Sequence, residues 1–231
     1  MNIVMSFSTP WAEYAKVTIH SINKTNKADK IYLLTDEPGD YPDNCIQLNP
    51  TALLEKHITT KINYNCIEKK YCFYKLMLSK IINEPKALYI DADALVIGDV
   101  SEYYNANLDG YVMAGVEDIG LAPGYKQKIG LEPSDTYINA GIILFNMEEL
   151  DKQFDELMHK VNTKWYLGNE QCMLNTTCKG KILTVDNKYN SSLSTGYSDD
   201  IRIIHYAGPK PWAGQAVRGE IWHEWRVRYK K

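Results

Sequence analysis

The sequence predicts one α/β domain, with a mostly parallel central sheet and helices flanking it. Short apolar segments of strand-like composition recur at Asn2–Phe7, Lys30–Thr35, Ala87–Asp91, Tyr111–Val116 and Ile142–Asn146. The first two enclose an amphipathic stretch, and strand–helix–strand order implies parallel strands joined by right-handed crossovers. The chain's 231 residues, 45% hydrophobic and 24% charged, are enough for one large domain or two small ones.

In chain order, Thr9 offers a helix N-cap and Pro10 a first helical position, with Trp11, Ala15, Ile19 and Ile22 at helical spacing behind them. Lys30–Thr35 gives the second strand, and Pro38, Gly39, Asp40 and Pro42 a turn. Residues 44–65 carry only a weak pattern. Ile67, Tyr71, Tyr74, Leu78 and Ile81, alternately four and three apart, predict a helix leading through Pro85 into the strand that ends at Asp91. After the polar loop Glu117–Tyr137, Asn139-Ala140-Gly141 opens the strand Ile142–Asn146. Leu150, Phe154, Leu157, Val161 and Trp165 mark an amphipathic helix, and Asn169 a cap for a shorter one holding Glu170 and Gln171. Ile182–Val185 and Ile201–Tyr206 read as late strands, the second containing His205.

Composition excludes several classes. A net charge of −3 argues against a nucleic-acid surface. Five cysteines (Cys45, Cys66, Cys72, Cys172, Cys178) without a Cys-x-x-Cys pair read as reduced thiols of a cytoplasmic protein. Ile3-Val4-Met5 follows no basic and apolar leader, so no cleaved secretion signal is expected, and no apolar run approaches a membrane span.

The sharpest chemical signal is Ala87-Leu88-Tyr89-Ile90-Asp91-Ala92-Asp93. Side chains two apart on a strand share a face, so Asp91 and Asp93 would project together from the strand end. Paired carboxylates at the end of a buried strand call for a compensating cation, naturally a hard divalent one such as Mn²⁺ or Mg²⁺. Ligands of open α/β sheets lie beyond the strands' carboxyl ends, which is also where His205 falls.

Four motifs in order resemble glycosyltransferase family 8, the group of glycogenin and bacterial lipooligosaccharide galactosyltransferases. They are Leu88-Tyr89-Ile90-Asp91-Ala92-Asp93, Tyr137-Ile138-Asn139-Ala140-Gly141-Ile142, Gly168-Asn169-Glu170-Gln171-Cys172-Met173-Leu174-Asn175 and His205-Tyr206-Ala207-Gly208-Pro209-Lys210-Pro211-Trp212. The resemblance implies a single Rossmann-like nucleotide-diphospho-sugar transferase fold of the GT-A type over residues 1–212, followed by a basic, aromatic tail, 213–231. It implies Asp91, Asp93 and His205 as metal ligands, Lys210 and Gly208 near the donor's phosphates, and Lys75 near the phosphates or the donor sugar. Asp118 and Asn139 would hold the donor sugar's hydroxyls, Ala92 and Ala140 would also line the donor site, and Ser6 and Ser8 would lie near the nucleoside. Gln171 and Glu170 would be the catalytic residues, with Gln171 beside the anomeric carbon. The implied activity is retaining transfer of galactose or glucose from a UDP-sugar to a saccharide or glycolipid acceptor. Three positions depart from the family: Cys172 stands where Asp is usual, Ser6-Phe7-Ser8-Thr9-Pro10 replaces the usual nucleoside-reading segment, and one residue instead of two separates Gly208 from Lys210.

Two other classes compete. Asp-x-Asp after an apolar strand also occurs in metal-dependent phosphohydrolases, although there the first Asp usually lies near the N-terminus and a Thr follows. A catalytically silent sugar-nucleotide or glycan-binding module would carry the same residues. In the tail, Trp222, Trp225 and Tyr229 share a helical face flanked by Arg218, Arg226, Arg228, Lys230 and Lys231. That face reads either as packed on the core or as a peripheral contact with anionic lipid.

Overall fold

The computed structural model describes residues 1–36, 38–59 and 70–230. Among them, β1 (Asn2–Ser6), β2 (Lys30–Leu34), β3 (Cys45–Leu48), β4 (Lys86–Ile90), β6 (Met113–Glu117), β7 (Ile138–Asn146) and β8 (Ile182–Thr184) form one sheet in the order β3-β2-β1-β4-β7-β6-β8. Only β7 runs against its neighbours, pairing antiparallel with both β4 and β6. A short ribbon, β5 (Ala94–Val96) against β9 (Ile203–His205), stands beyond the sheet's carboxyl edge.

Alternation along the strands divides the core in two. Leu88 and Ile90 of β4 face Ala15, Ile19 and Ile22 of α1 (Ala12–Thr25). Ala87 and Tyr89 face the opposite core, which includes Leu157 and Val161 of α8 (Phe154–Thr163) and Met173 of α9 (Asn169–Thr177). The central strands are therefore covered on both faces, which is why they read as continuous apolar runs. Thr18 on α1 anchors the start of β5, its hydroxyl donating to the Ala94 carbonyl at 2.6 Å.

α10 (Gly219–Tyr229) lies against α1. Trp222 is 1% exposed, and Trp225 and Tyr229 pack in the same cluster with Val17, Leu95, Ile204 and Tyr206. The aromatic face of the tail is thus turned to the protein. Trp222→Ala is expected to cost about 3–5 kcal/mol, the usual range for deleting a buried large aromatic, measurable by denaturant unfolding. Among the described residues, no helix is long and apolar enough to cross a membrane.

Several elements differ from the sequence reading. Ser8, not Thr9, stands at the cap position, without a side-chain cap bond, and Thr9–Trp11 is a 3₁₀ turn before α1. The helix expected over 67–81 is α3 (Lys70–Tyr74), a 3₁₀ turn Lys75–Met77 and α4 (Leu78–Ile81), with Ile67 outside the described residues. β7 starts at Ile138, so the Asn-Ala-Gly segment is inside the strand. The helix expected through Trp165 is α7 (Met147–Lys152) and α8, broken at Gln153; α8 ends at Thr163 because Lys164 is extended, leaving Trp165 63% exposed. Gly168 rather than Asn169 precedes α9 as its cap, and Asn169 takes a positive φ of 43°.

Candidate metal and nucleotide-sugar site

Asp91 follows β4 directly, and its backbone N–H donates to the Gly141 carbonyl of β7 at 2.8 Å. A tight turn then brings Asp93 round before β5 begins. Because β9 pairs with β5 with His205 opposite Ala94, the imidazole is carried to the same corner. His205 Nε2 lies 3.4 Å from Asp93 Oδ1 and 3.8 Å from Asp91 Oδ2. Ligand atoms of the three residues all fall within 4.8 Å of one another. At bonds of about 2.1 Å, two ligands of one cation stand roughly 3–4 Å apart, the spacing His205 Nε2 keeps from both carboxylates, and carboxylates with a neutral imidazole suit Mn²⁺.

Cationic side chains border the cluster. Lys210 Nζ donates to Asp93 Oδ2 at 2.5 Å and to the Tyr206 carbonyl at 2.8 Å. Burial by itself would raise the Asp93 pKa, but His205, whenever its ring carries a charge, and Lys210 hold it well below the usual carboxylate range. On the other flank, Lys75 is 1% exposed, not solvated. Its ammonium donates to the Ala140 carbonyl at 2.8 Å, lies 3.4 Å from Asp91 Oδ1 and 3.5 Å from Glu170 Oε1, and sits over the Tyr89 ring. Burial works to lower the Lys75 pKa, yet Asp91, Tyr89 and Glu170 together raise it well above the ordinary value. Glu170 moves upward because burial outweighs the attraction of Lys75.

Beside this corner Asp118, Asn139 and Gln171 meet. Gln171 Nε2 donates to Asp118 Oδ2 at 3.1 Å, while Gln171 Oε1 accepts the Ala140 N–H at 2.9 Å. Asn139 Nδ2 donates to Asp118 Oδ2 at 3.4 Å. Asn175 holds α9 in register with β7, accepting the Ile138 N–H at 2.7 Å and donating to its carbonyl at 2.9 Å. Ser6 is buried below the corner, its hydroxyl bonded to the Tyr89 hydroxyl at 2.6 Å and the Tyr71 carbonyl at 2.8 Å. Ser8 is buried at the start of the Thr9–Trp11 turn. Ala92 offers its carbonyl to Thr18, and Gly208 takes a φ of 103° in the loop between His205 and Lys210.

Residues to which the sequence assigned no role complete the corner. A Cβ at Gly141 would stand 2.1 Å from His205 Cε1, so only glycine leaves room for the ring against β7. Asn190 bonds His205 Nδ1 at 3.0 Å from the far side. Cys172 is fully buried, its sulfur 3.1 Å from the Tyr137 hydroxyl and 3.2 Å from that of Tyr125. Its thiol is therefore occupied by two phenols; burial, with the adjoining thiol, raises the Tyr125 pKa to about 12.

A mostly parallel, doubly covered sheet with two carboxylates and an imidazole gathered at its carboxyl edge is an open α/β architecture with its candidate ligand site where such sheets place it. Residues 2–216 match the family model described as Glycosyl transferase family 8, and the chain belongs to that family. It is 30% identical to a relative from Haemophilus influenzae, over 97% of this chain and 73% of that protein. It is 27% identical to glycosyltransferase GlyA of Streptococcus pneumoniae over 95% of this chain, spanning 34% of that longer protein. In structure it is similar to the galactosyltransferase LgtC, solved with donor and acceptor sugar analogs, with a TM-score of 0.79 and 22% identity over 99% of this chain and 96% of LgtC. The fold is thereby that of a GT-A glycosyltransferase, and family membership displaces the phosphohydrolase reading.

Proposed function

We propose that the chain transfers a hexose, galactose or glucose, from its UDP conjugate to a saccharide or glycolipid acceptor, retaining anomeric configuration, with Mn²⁺ or Mg²⁺ as cofactor. The observation that carries this reading is the convergence of Asp91, Asp93 and His205 on one point, with Lys210 and Lys75 at its edges. When bound, the cation supplies positive charge to the departing diphosphate. Asp91, Asp93 and His205 would hold it. Lys210, on the loop after Gly208, binds phosphate oxygens through its ammonium. Lys75, kept charged by its carboxylate neighbours, adds a fixed positive charge in a water-poor setting, where such a charge acts most strongly.

Asp118 and Asn139 bind donor-sugar hydroxyls beside Gln171. The Gln171 amide has its oxygen on the Ala140 N–H and its nitrogen on Asp118, so it is held as an oriented dipole. An amide is a poor nucleophile, and one bonded at both ends suits a different task, stabilising the developing positive charge while the acceptor attacks from the leaving-group face. Gln171→Ala is expected to lower kcat by about 100-fold or more, the scale of losing one oriented dipole at a charged transition state, with donor KM changed far less. Steady-state kinetics separates the two effects, and mass-spectrometric trapping of a sugar–Gln171 adduct would contradict the same-face route.

The reading is tested by a panel of nucleotide sugars with and without Mn²⁺. Slow Mn²⁺-dependent release of hexose from UDP-galactose or UDP-glucose, without turnover of simple phosphate esters, is the expected result. Stabilisation of the fold by these compounds without any consumption would instead mark a silent binding module.

A further inference from the structure

We propose that Asn190 is a positioning residue that fixes His205 as the Nδ1–H tautomer and so turns a bare Nε2 toward Asp91 and Asp93. The inference rests on the cation reading above but concerns a residue outside the motifs. Four buried side chains, Asp118, Asn139, Asn190 and His205, form one hydrogen-bonded line. Its direction is set at one end, because an ionised carboxylate only accepts. Asp118 Oδ2 therefore faces Asn139 Nδ2, at 3.4 Å. That turns Asn139 Oδ1 the other way, where it takes the Gly141 N–H and Asn190 Nδ2, each at 3.0 Å. Asn190 must then present Oδ1 to His205 Nδ1, at 3.0 Å. An acceptor there requires a proton on Nδ1 and, in the neutral ring, leaves the Nε2 lone pair for the cation, the usual arrangement behind a metal-bound histidine.

Without Asn190, the ring would be free to carry its proton on Nε2 and donate it to Asp93, 3.4 Å away, closing the site to a cation. The same line joins the two residues proposed to hold the donor sugar, Asp118 and Asn139, to the imidazole proposed to hold the cation. Recognition of the sugar and retention of the metal thus share one set of hydrogen bonds.

The test is made on the full chain. Histidine-ring ¹⁵N spectra of the metal-free protein, recorded near pH 9 where an ordinary imidazole is neutral and assigned with His205→Ala, read the tautomer directly. The expected result is Nδ1–H in the wild type and in Asn190→Asp, which still offers an acceptor to Nδ1, and a shift toward Nε2–H in Asn190→Leu. Mn²⁺ affinity in the presence of UDP should fall by roughly 10–100-fold in Asn190→Leu, the scale of losing a partner behind a metal ligand, and less in Asn190→Asp. An Nε2–H ring in the wild type overturns the proposal. So does an Asn190→Leu variant with unchanged tautomer and Mn²⁺ affinity, even if it is less stable to heat. A wild type that binds no Mn²⁺ would instead refute the cation reading itself, and the metal-free spectra still decide the role of Asn190.

Discussion

Asp93→Ala is expected to abolish Mn²⁺-dependent UDP binding while leaving the fold in place. Among the described residues, the Asp93 carboxylate makes its ion pairs with His205 and Lys210, both at the site and not in the apolar core. Its backbone carbonyl, which accepts the Tyr206 N–H at 3.0 Å and ties the β5–β9 ribbon together, is kept. Stranding a buried cation is the usual penalty for breaking such a pair, on the order of 3–5 kcal/mol. Here Lys210 keeps the Tyr206 carbonyl at 2.8 Å and is 24% exposed, so that penalty is largely relieved. The binding loss should exceed the roughly 10–100-fold attached to residues behind a metal ligand, because a ligand itself is removed. Calorimetry of UDP with and without Mn²⁺, beside a thermal melt, measures both halves; unchanged UDP affinity would refute Asp93 as a ligand.

The second large effect is expected at Gly141, where a single methyl group should disable the same site from within the sheet. The added Cβ would lie 2.1 Å from His205 Cε1 and 2.7 Å from Nε2. Gly141 has no positive φ, so alanine suits its backbone and the whole cost falls on the ring. His205 is 5% exposed and held by Asn190, leaving it no easy way aside. Overpacking of this kind costs about 1–3 kcal/mol, and metal-dependent UDP binding should be lost with it. The double variant Gly141→Ala/His205→Ala separates the causes, since removing the ring removes the clash. Its stability should exceed the sum expected from the single changes, a coupling that distant, independent sites do not show. Strictly additive losses would place the strain elsewhere.

The fold class was legible because its central strands are apolar on both faces, and strands such as Lys86–Ile90 announce themselves without tertiary information. What escaped was shorter or more exposed. β3 sits at the sheet edge with Ile46 and Gln47 exposed, and α2 (Thr51–His57) buries only Leu54, so neither shows a periodic face. β5 has three residues, and its partner strand lies more than a hundred positions away. Trp165 matched a helical spacing that the extended backbone at Lys164 ends.

At the site, Asp91, Asp93, His205, Lys210, Asn139 and Gln171 could be named from their motifs, and Lys75 and Asp118 from single positions that match the family outside them; the fold gathers all eight at one corner. The supporting residues could not be named the same way. The need for glycine at position 141 arises from a ring 64 positions later in the chain. Asn190 lies in a polar, turn-rich stretch where an asparagine is unremarkable, and its role exists only once β9 has set His205 against β7.

The central claim is that Asp91, Asp93 and His205 close on a single cation that grips a diphosphate. Anomalous diffraction at the manganese edge, from crystals grown with Mn²⁺ and UDP, tests it most directly. The expected result is one strong peak within bonding distance of all three side chains and of the diphosphate oxygens. A diphosphate bound with no peak there, or a peak held by other residues, would contradict the account.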